Sequence, residues 1–279
     1  MRDSFLKDIN RGRKIFSVSE MFRFKDLLYF MVWRDITVLY KQTILGVAWA
    51  ILNPLFQVAI FSIVFGYLAG IKPDVQGLPY VFFSALTVIP WTYFSNSISS
   101  SANSLVTNSA LMSKVYFPRL FLPLTPILSK MLDFSISLLI VLGMMVFYQI
   151  APGWQLFLLP IPILLLVCSA LGMGSLLSCL VLQYRDVRFA IQFMMPFLMY
   201  LAPVAFPATL VQEKLGNIIF HLYALYPMVG AIESFKACFI PNQVFPWTLA
   251  GISAAGAVFW LVIGVYRFKK VENYFADIA

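Results

Sequence analysis

Apolar residues run along this chain in long blocks separated by short polar breaks, and block length predicts the elements. A bilayer crossing needs roughly 20 mostly apolar residues in a helix. Six blocks meet that length, at residues 46–69, 80–101, 120–149, 156–182, 189–206 and 247–266. Between the fifth and sixth, residues 211–240 hold two shorter apolar pieces, 215–226 and 228–239, broken at Pro227. Neither piece is long enough to cross, so the region is expected to form a short re-entrant pair. Before the first block the pattern changes. Over residues 19–37, Met21, Phe22, Phe24, Leu27, Leu28, Phe30, Met31 and Ile36 interleave with Glu20, Arg23, Lys25, Asp26, Arg34 and Asp35. That segment is too charged to span and predicts an amphipathic helix, with Ser19 as its N-cap. Trp33 and Tyr29 then lie at the membrane surface, or the helix packs on a soluble partner. The expected fold class is an all-α integral membrane protein with six transmembrane helices, an N-terminal amphipathic interfacial helix and a re-entrant helical pair on the outer side before the last span. Residues 1–43 form the leader and interface helix, and residues 44–279 the transmembrane domain.

Composition agrees, since 61% of the 279 residues are hydrophobic and 11% charged, against roughly 25% charged in soluble domains. A net charge of +8 would suggest nucleic acid in a soluble chain; here the position of each cation gives topology instead. Placing both termini and the 107–119 and 183–188 connections inside puts sixteen Lys and Arg on the inner side and three, Lys72, Lys214 and Lys236, outside. Lys130 remains within the third span. The basic run Arg2 to Lys14 precedes no short apolar stretch with a small-residue cleavage site, so the first span is expected to be the insertion signal. The connection after the second span, with Asn108, Ser109 and Lys114, predicts a short helix stopped at Pro118. Together with Arg185 in the next inner connection it offers protrusions for a soluble partner.

The chemistry-bearing residues point away from catalysis. His221 is the single histidine, and Cys168, Cys179 and Cys238 have no metal spacing, so no metal and no resident cofactor are expected. No G-x-x-x-x-G-K-[ST] phosphate loop is present, so if energy is used another chain is expected to supply it. Within the spans, Lys130 and Asp133 stand at i, i+3, as a local pair or as part of a gate. Glu233 and Lys236 repeat that spacing beside Pro227, as an outer gate or a structural pair. Trp91, Tyr93, Phe94, Tyr200 and Tyr226 are candidate channel aromatics with flat faces for sugar rings, or else ordinary core. Gly143, Gly172 and Gly174 are candidate points of close helix approach.

Several stretches together resemble a known family. They are Arg34-Asp35-Ile36, Tyr40-Lys41-Gln42-Thr43, Leu45-Gly46, Trp49, Leu52-Asn53-Pro54, Lys114-Val115-Tyr116-Phe117-Pro118-Arg119, Tyr184-Arg185-Asp186, Tyr226-Pro227-Met228-Val229-Gly230 and Glu272-Asn273-Tyr274-Phe275-Ala276-Asp277. The chain resembles the membrane (permease) subunits of ABC-2 type exporters of lipid-linked polysaccharide, such as O-antigen, capsule and wall teichoic acid. The resemblance implies a homodimer in the bacterial inner membrane, both termini cytoplasmic, working with two copies of a separate ATP-binding subunit. It implies that the segment around Asn108 to Lys114 docks on that ATPase, that the outer pair forms a gate, and that the substrate is a polymer on a polyprenyl diphosphate. Arg34 and Lys41, at the turn into the first span, are then candidates for the diphosphate, or contact ordinary phospholipid headgroups. Three other readings remain: an ABC-2 exporter of a drug or unglycosylated lipid, a membrane-embedded polyprenyl-carrier transferase, and a secondary transporter.

Overall fold

The computed structural model describes residues 22–41, 46, 48–71, 73, 77–114, 117–241 and 243–272. They form helices and no strand among the described residues: α1 (Lys25–Lys41), α2 (Ala48–Phe61), α3 (Tyr80–Thr107), α4 (Ser109–Lys114), α5 (Phe121–Phe147), α6 (Pro160–Gln183), α7 (Val187–Leu201), α8 (Thr209–Tyr223), α9 (Pro227–Phe239) and α10 (Trp247–Glu272). A 3₁₀ turn, Trp154–Leu158, leads into α6, and α2 continues as a π-helix over Ser62–Leu68. The expected N-cap Ser19 and the 1–18 leader lie outside the described residues.

Among the described residues four helices are long and apolar enough to cross a bilayer: Ala48–Leu68, Phe121–Phe147, Trp154–Gln183 and Trp247–Glu272, and α8 with α9 makes a fifth if that pair, bent by 108°, is taken as one span. Of the six separate spans expected from block length, the blocks 80–101 and 189–206 do not meet that measure. Helix α3 has the length, 28 residues, but its second half is rich in Ser and Asn. It forms the centre of the bundle, with Phe82, Leu86, Phe94 and Ile98 fully enclosed, and packs on α2, α5, α6, α7 and α9. A helix surrounded by protein has no need to be apolar all round.

Helix α7 departs further. The block 189–206 predicts a full span, yet the helix ends at Leu201 after 15 residues, about 22 Å at 1.5 Å per residue against a core of about 30 Å. Pro203 explains the stop, since it supplies no backbone N–H and disfavours helix at Ala202, and Pro207 keeps the helix from resuming just after. The chain goes on in non-helical form, with Ala202, Val204, Ala205 and Ala208 buried. Thr87 Oγ1 donates to the Val204 carbonyl at 2.9 Å and Tyr80 Oη to the Ala205 carbonyl at 3.1 Å. Irregular backbone is thus satisfied by the first turns of α3, and residues 187–206 reach the end of the bundle where α3 begins.

Helix α6 lies on α10 by way of glycine. A Cβ at Gly172 would meet the Trp260–Leu261 backbone, and one at Gly264 would meet the Gly172 carbonyl. Gly174 meets Ser101 in the same way, while Gly143 faces open space, so two of the three candidate contact glycines mark close crossings. The α8–α9 bend is held on α10 by Ser253, whose Oγ accepts from the Gly230 N–H at 2.9 Å and donates to the Ala224 carbonyl at 2.7 Å. The expected break at Pro227 stands, as the first residue of α9. A second break lies inside α8 at Gly216, with φ 81°.

Candidate functional site

On α3, Thr92, Asn96, Ser99, Asn103 and Thr107 recur at i, i+4, i+7, i+11 and i+15, so they share one helix face. All five are exposed or half-buried. Asn53 and Gln57 on α2, also exposed and one turn apart, stand beside them, and Thr92 Oγ1 donates to Gln57 Oε1 at 2.6 Å. Lower on the ladder, Asn103 Nδ2 donates to the Ser99 carbonyl at 2.7 Å and Thr107 Oγ1 to the Asn103 carbonyl at 3.0 Å. A carboxamide held in hydrocarbon without a partner costs about 2–7 kcal/mol. A face that repeats such groups over five positions is suited to water or hydrophilic cargo rather than to lipid tails.

Beside the ladder, α2, α3 and α5 enclose a pocket of about 60 Å³, whose polar lining is Asn53, Thr92, Asn96, Lys130, Asp133 and Ser137. Pro54 and Ile89 line both it and a wider apolar groove of about 340 Å³, bounded otherwise by Leu55, Val58, Ala59, Val81, Ala85, Ile140 and Met144. Lys130 Nζ lies 3.1 Å from Asp133 Oδ2, with the two side chains 16% and 29% exposed. Tyr40, in the last turn of α1, donates to the other carboxylate oxygen of Asp133. Burial, and after it the Asp133 carboxylate, push the Tyr40 phenol well above its ordinary pKa, so it remains a donor.

Helix α1 is tied at a second point. Arg34 donates through Nε (3.1 Å) and Nη2 (2.8 Å) to Asp35 Oδ1, and Nη2 also reaches Asn108 Oδ1 at 3.1 Å. Asn108 in turn ends α3, donating through Nδ2 to the Ser104 carbonyl at 2.9 Å, and α4 follows at once. Arg34 is therefore already engaged, while Lys41 is exposed at the end of α1. Tyr29, Phe30, Trp33 and Val38 on α1 are more than half exposed, as is Phe22 just before it.

On α9 the second pair is enclosed. Lys236 is fully buried, 2.9 and 3.0 Å from the two carboxylate oxygens of Glu233, and its ammonium sits 5.0 Å from the Phe83 ring centre. Every residue of α9 is buried, Pro227 included.

The remaining sequence candidates divide by exposure. Trp91, Tyr93 and Phe94 are buried within the subunit, with Tyr93 donating to the Ile127 carbonyl at 3.2 Å. Tyr226 is half-buried and bonds the Leu198 carbonyl at 3.4 Å, whereas Tyr200 is exposed. Ser109 opens α4 and Lys114 closes it, and Arg185 is exposed in the turn before α7. Two features escaped the sequence reading. One is the α3 ladder; the other is an exposed aromatic stripe on α7, Phe189, Phe193 and Phe197, at spacing four. Both spacings are visible in the sequence, but hydropathy averages over helix faces and hides them. Among the described residues no group of three His, Cys, Asp or Glu could hold a metal.

Comparison with known proteins places this arrangement in a family. Over 91% of its length, the chain is 25% identical to the O-antigen export system permease protein RfbA of Myxococcus xanthus, covering 96% of that protein. It is 26% identical to the protein of the same name from Klebsiella pneumoniae, over 91% of this chain and 95% of that one. The family model described as ABC-2 type transporter matches residues 26–240, which take in α1, the ladder, both ion pairs and α9. A multi-pass helical chain with no phosphate loop of its own, matched over most of its length, is a transporter membrane subunit, and it belongs to the ABC-2 type transporter family.

Proposed function

We propose that this chain is the membrane half of an ABC exporter that moves a lipid-linked polysaccharide, of the O-antigen kind, across the bacterial inner membrane, using ATP and Mg bound by a separate subunit. Family membership implies that ATP-binding partner. The observation that carries the cargo is the exposed amide and hydroxyl ladder, Asn53, Gln57, Thr92, Asn96, Ser99, Asn103 and Thr107, on helices that otherwise read as spans. A drug or unglycosylated lipid has no use for seven such groups, and a polymer of sugars has. The apolar groove that meets the polar pocket at Pro54 and Ile89 suits the other half of an amphiphile, the chain of its lipid anchor. The two relatives, both named for O-antigen export, point the same way.

In this reading the subunit crosses six times, with α3 and the α7 segment 187–206 as interior crossings, and both termini face the cytoplasm as the sixteen-to-three cation count requires. Two copies face each other across the path, each offering the α3 ladder and the α7 stripe, with Tyr200 in that stripe. Helix α1 lies in the headgroup plane with Tyr29, Phe30 and Trp33 toward lipid. Lys41 meets the carrier diphosphate, and Arg34 holds α1 against Asn108 so that movement of α4 on the ATPase reaches it. The enclosed Glu233–Lys236 pair with Pro227 closes the outer end.

Purification with the ATP-binding subunit encoded beside it, followed by polymer export from everted vesicles, is the test. Export is expected to need ATP, both subunits and the saccharide part of the cargo. Transport of the bare carrier lipid at the same rate as the glycosylated one would remove the polysaccharide reading.

A further inference from the structure

Resting on the reading that the α2–α3 face lines the path, we infer that the pocket of Asn53, Thr92, Asn96, Lys130, Asp133 and Ser137 is a side notch that binds a neutral, hydroxyl-bearing arm of the passing cargo. Its electrostatics exclude an anion. The Lys130 charge is answered by Asp133 at 3.1 Å, so a phosphate or carboxylate entering the notch meets a carboxylate as closely as an ammonium.

Its hydrogen-bond inventory is mixed. Lys130 uses one of three N–H groups on Asp133 and keeps two. Asn53 and Asn96 each bring a donor and an acceptor. Thr92 spends its proton on Gln57 and Ser137 spends its own on the Asp133 carbonyl at 2.9 Å, so both hydroxyl oxygens are left as acceptors. Pro54 has no N–H to give the Ala50 carbonyl four residues back, and Ala50 lies on the pocket wall. A guest that both donates and accepts satisfies these groups together; an aliphatic guest strands them.

Size completes the argument. At about 10–15 Å³ of cavity volume per water, the 60 Å³ pocket holds about four to six waters. That is room for a hydroxymethyl arm and the ring atoms next to it, and not for a whole sugar. The rest of the ring stays on the open ladder while the arm enters, which sets the polymer in register with the helix.

The test uses the full complex with its ATP-binding subunit, in a background with Cys168, Cys179 and Cys238 replaced. Single cysteines, Asn96→Cys in the notch and Gln57→Cys on the ladder, are labelled with a membrane-impermeant thiol reagent in everted vesicles. Vesicles come from cells that make the polymer and from cells that do not, trapped with vanadate. The expected result is labelling of both without polymer, and labelling at both slowed about tenfold with it, the scale of one occluding contact. If Gln57→Cys is protected and Asn96→Cys is not, the path stands and the notch is overturned. If neither site labels without polymer, the path reading falls and takes the notch with it.

Charge is tested separately. Asp133→Asn leaves Lys130 uncompensated and is expected to lower export of a neutral polymer about tenfold, measured per complex recovered with its ATP-binding subunit. Lys130→Gln with Asp133→Asn, neutral again, is expected to recover most of it. A double variant no better than the single one overturns the requirement for a neutral notch.

Discussion

Two lysine–carboxylate pairs, each three residues apart on one helix, lie close enough in this bundle that Phe134 beside one is 5.9 Å from Phe235 beside the other, ring centre to ring centre, and they differ in almost everything except spacing. Lys130 and Asp133 are 16% and 29% exposed, share their carboxylate with Tyr40 on another helix and border a pocket; Lys236 and Glu233 are 0% and 8% exposed and are capped by an aromatic ring. The first pair keeps its charges where water and cargo reach them. The second is removed from water altogether, and its desolvation is offset by a two-oxygen contact and the Phe83 face. Spacing alone therefore says nothing about role. What decides it is which neighbours close over the pair.

The sharpest way to break the comparison is to remove one partner from each pair. Lys236→Met leaves Glu233 charged and enclosed, and a loss of about 3–5 kcal/mol is expected, read as a lower thermal unfolding temperature of the detergent-purified complex. Glu233→Leu together with Lys236→Met is expected to return close to the parental value, because replacing both charges removes the stranded one. In the other pair Asp133→Asn is expected to cost less, about 1–2 kcal/mol, because water still reaches both groups, its larger effect appearing in export. Equal losses of stability in the two pairs would erase the distinction. Smaller again is Tyr40→Phe, which deletes one hydrogen bond to a carboxylate, a loss of about 1.5–3 kcal/mol before solvent replaces it. Because water reaches Asp133, a net loss of about 0.5 kcal/mol is expected, seen as easier proteolysis of α1. The least effect is expected from salt. Raising ionic strength weakens the partly exposed pair and leaves the sealed one unchanged, so the Asp133→Asn deficit should shrink in high salt while the Lys236→Met deficit stays.

Long apolar blocks told where α2, α5, α6 and α10 run, because a lipid-facing helix must be apolar along its whole length. The same measure overstated α7, where Pro203 ends the helix inside an unbroken apolar block, and it could not rank α3, whose buried serines are tolerated by enclosure while its amides lie on an open face. Rotation about a helix axis was the larger gap. Trp91, Tyr93 and Phe94 read either as path aromatics or as core, and nothing local showed that they turn inward while Asn96 and Thr92 on the same helix turn out. Nor does local pattern announce that Arg34 meets Asn108, 74 positions away, or that Tyr40 meets Asp133, 93 positions away. The paired acids and bases, the bend at Pro227 and the short helix after Asn108 were all legible, since each depends on neighbours within a few residues.

The non-helical stretch after α7 also bears on how the protein is made. Its carbonyls at Val204 and Ala205 are satisfied by Thr87 and Tyr80, residues synthesised more than a hundred positions earlier. A 15-residue helix trailing bare backbone has no stable place alone in lipid. Insertion of this segment is therefore a docking event on an already placed α3. Mutations in the first turns of α3 become defects of biogenesis, surfacing as degraded protein before any question of transport arises.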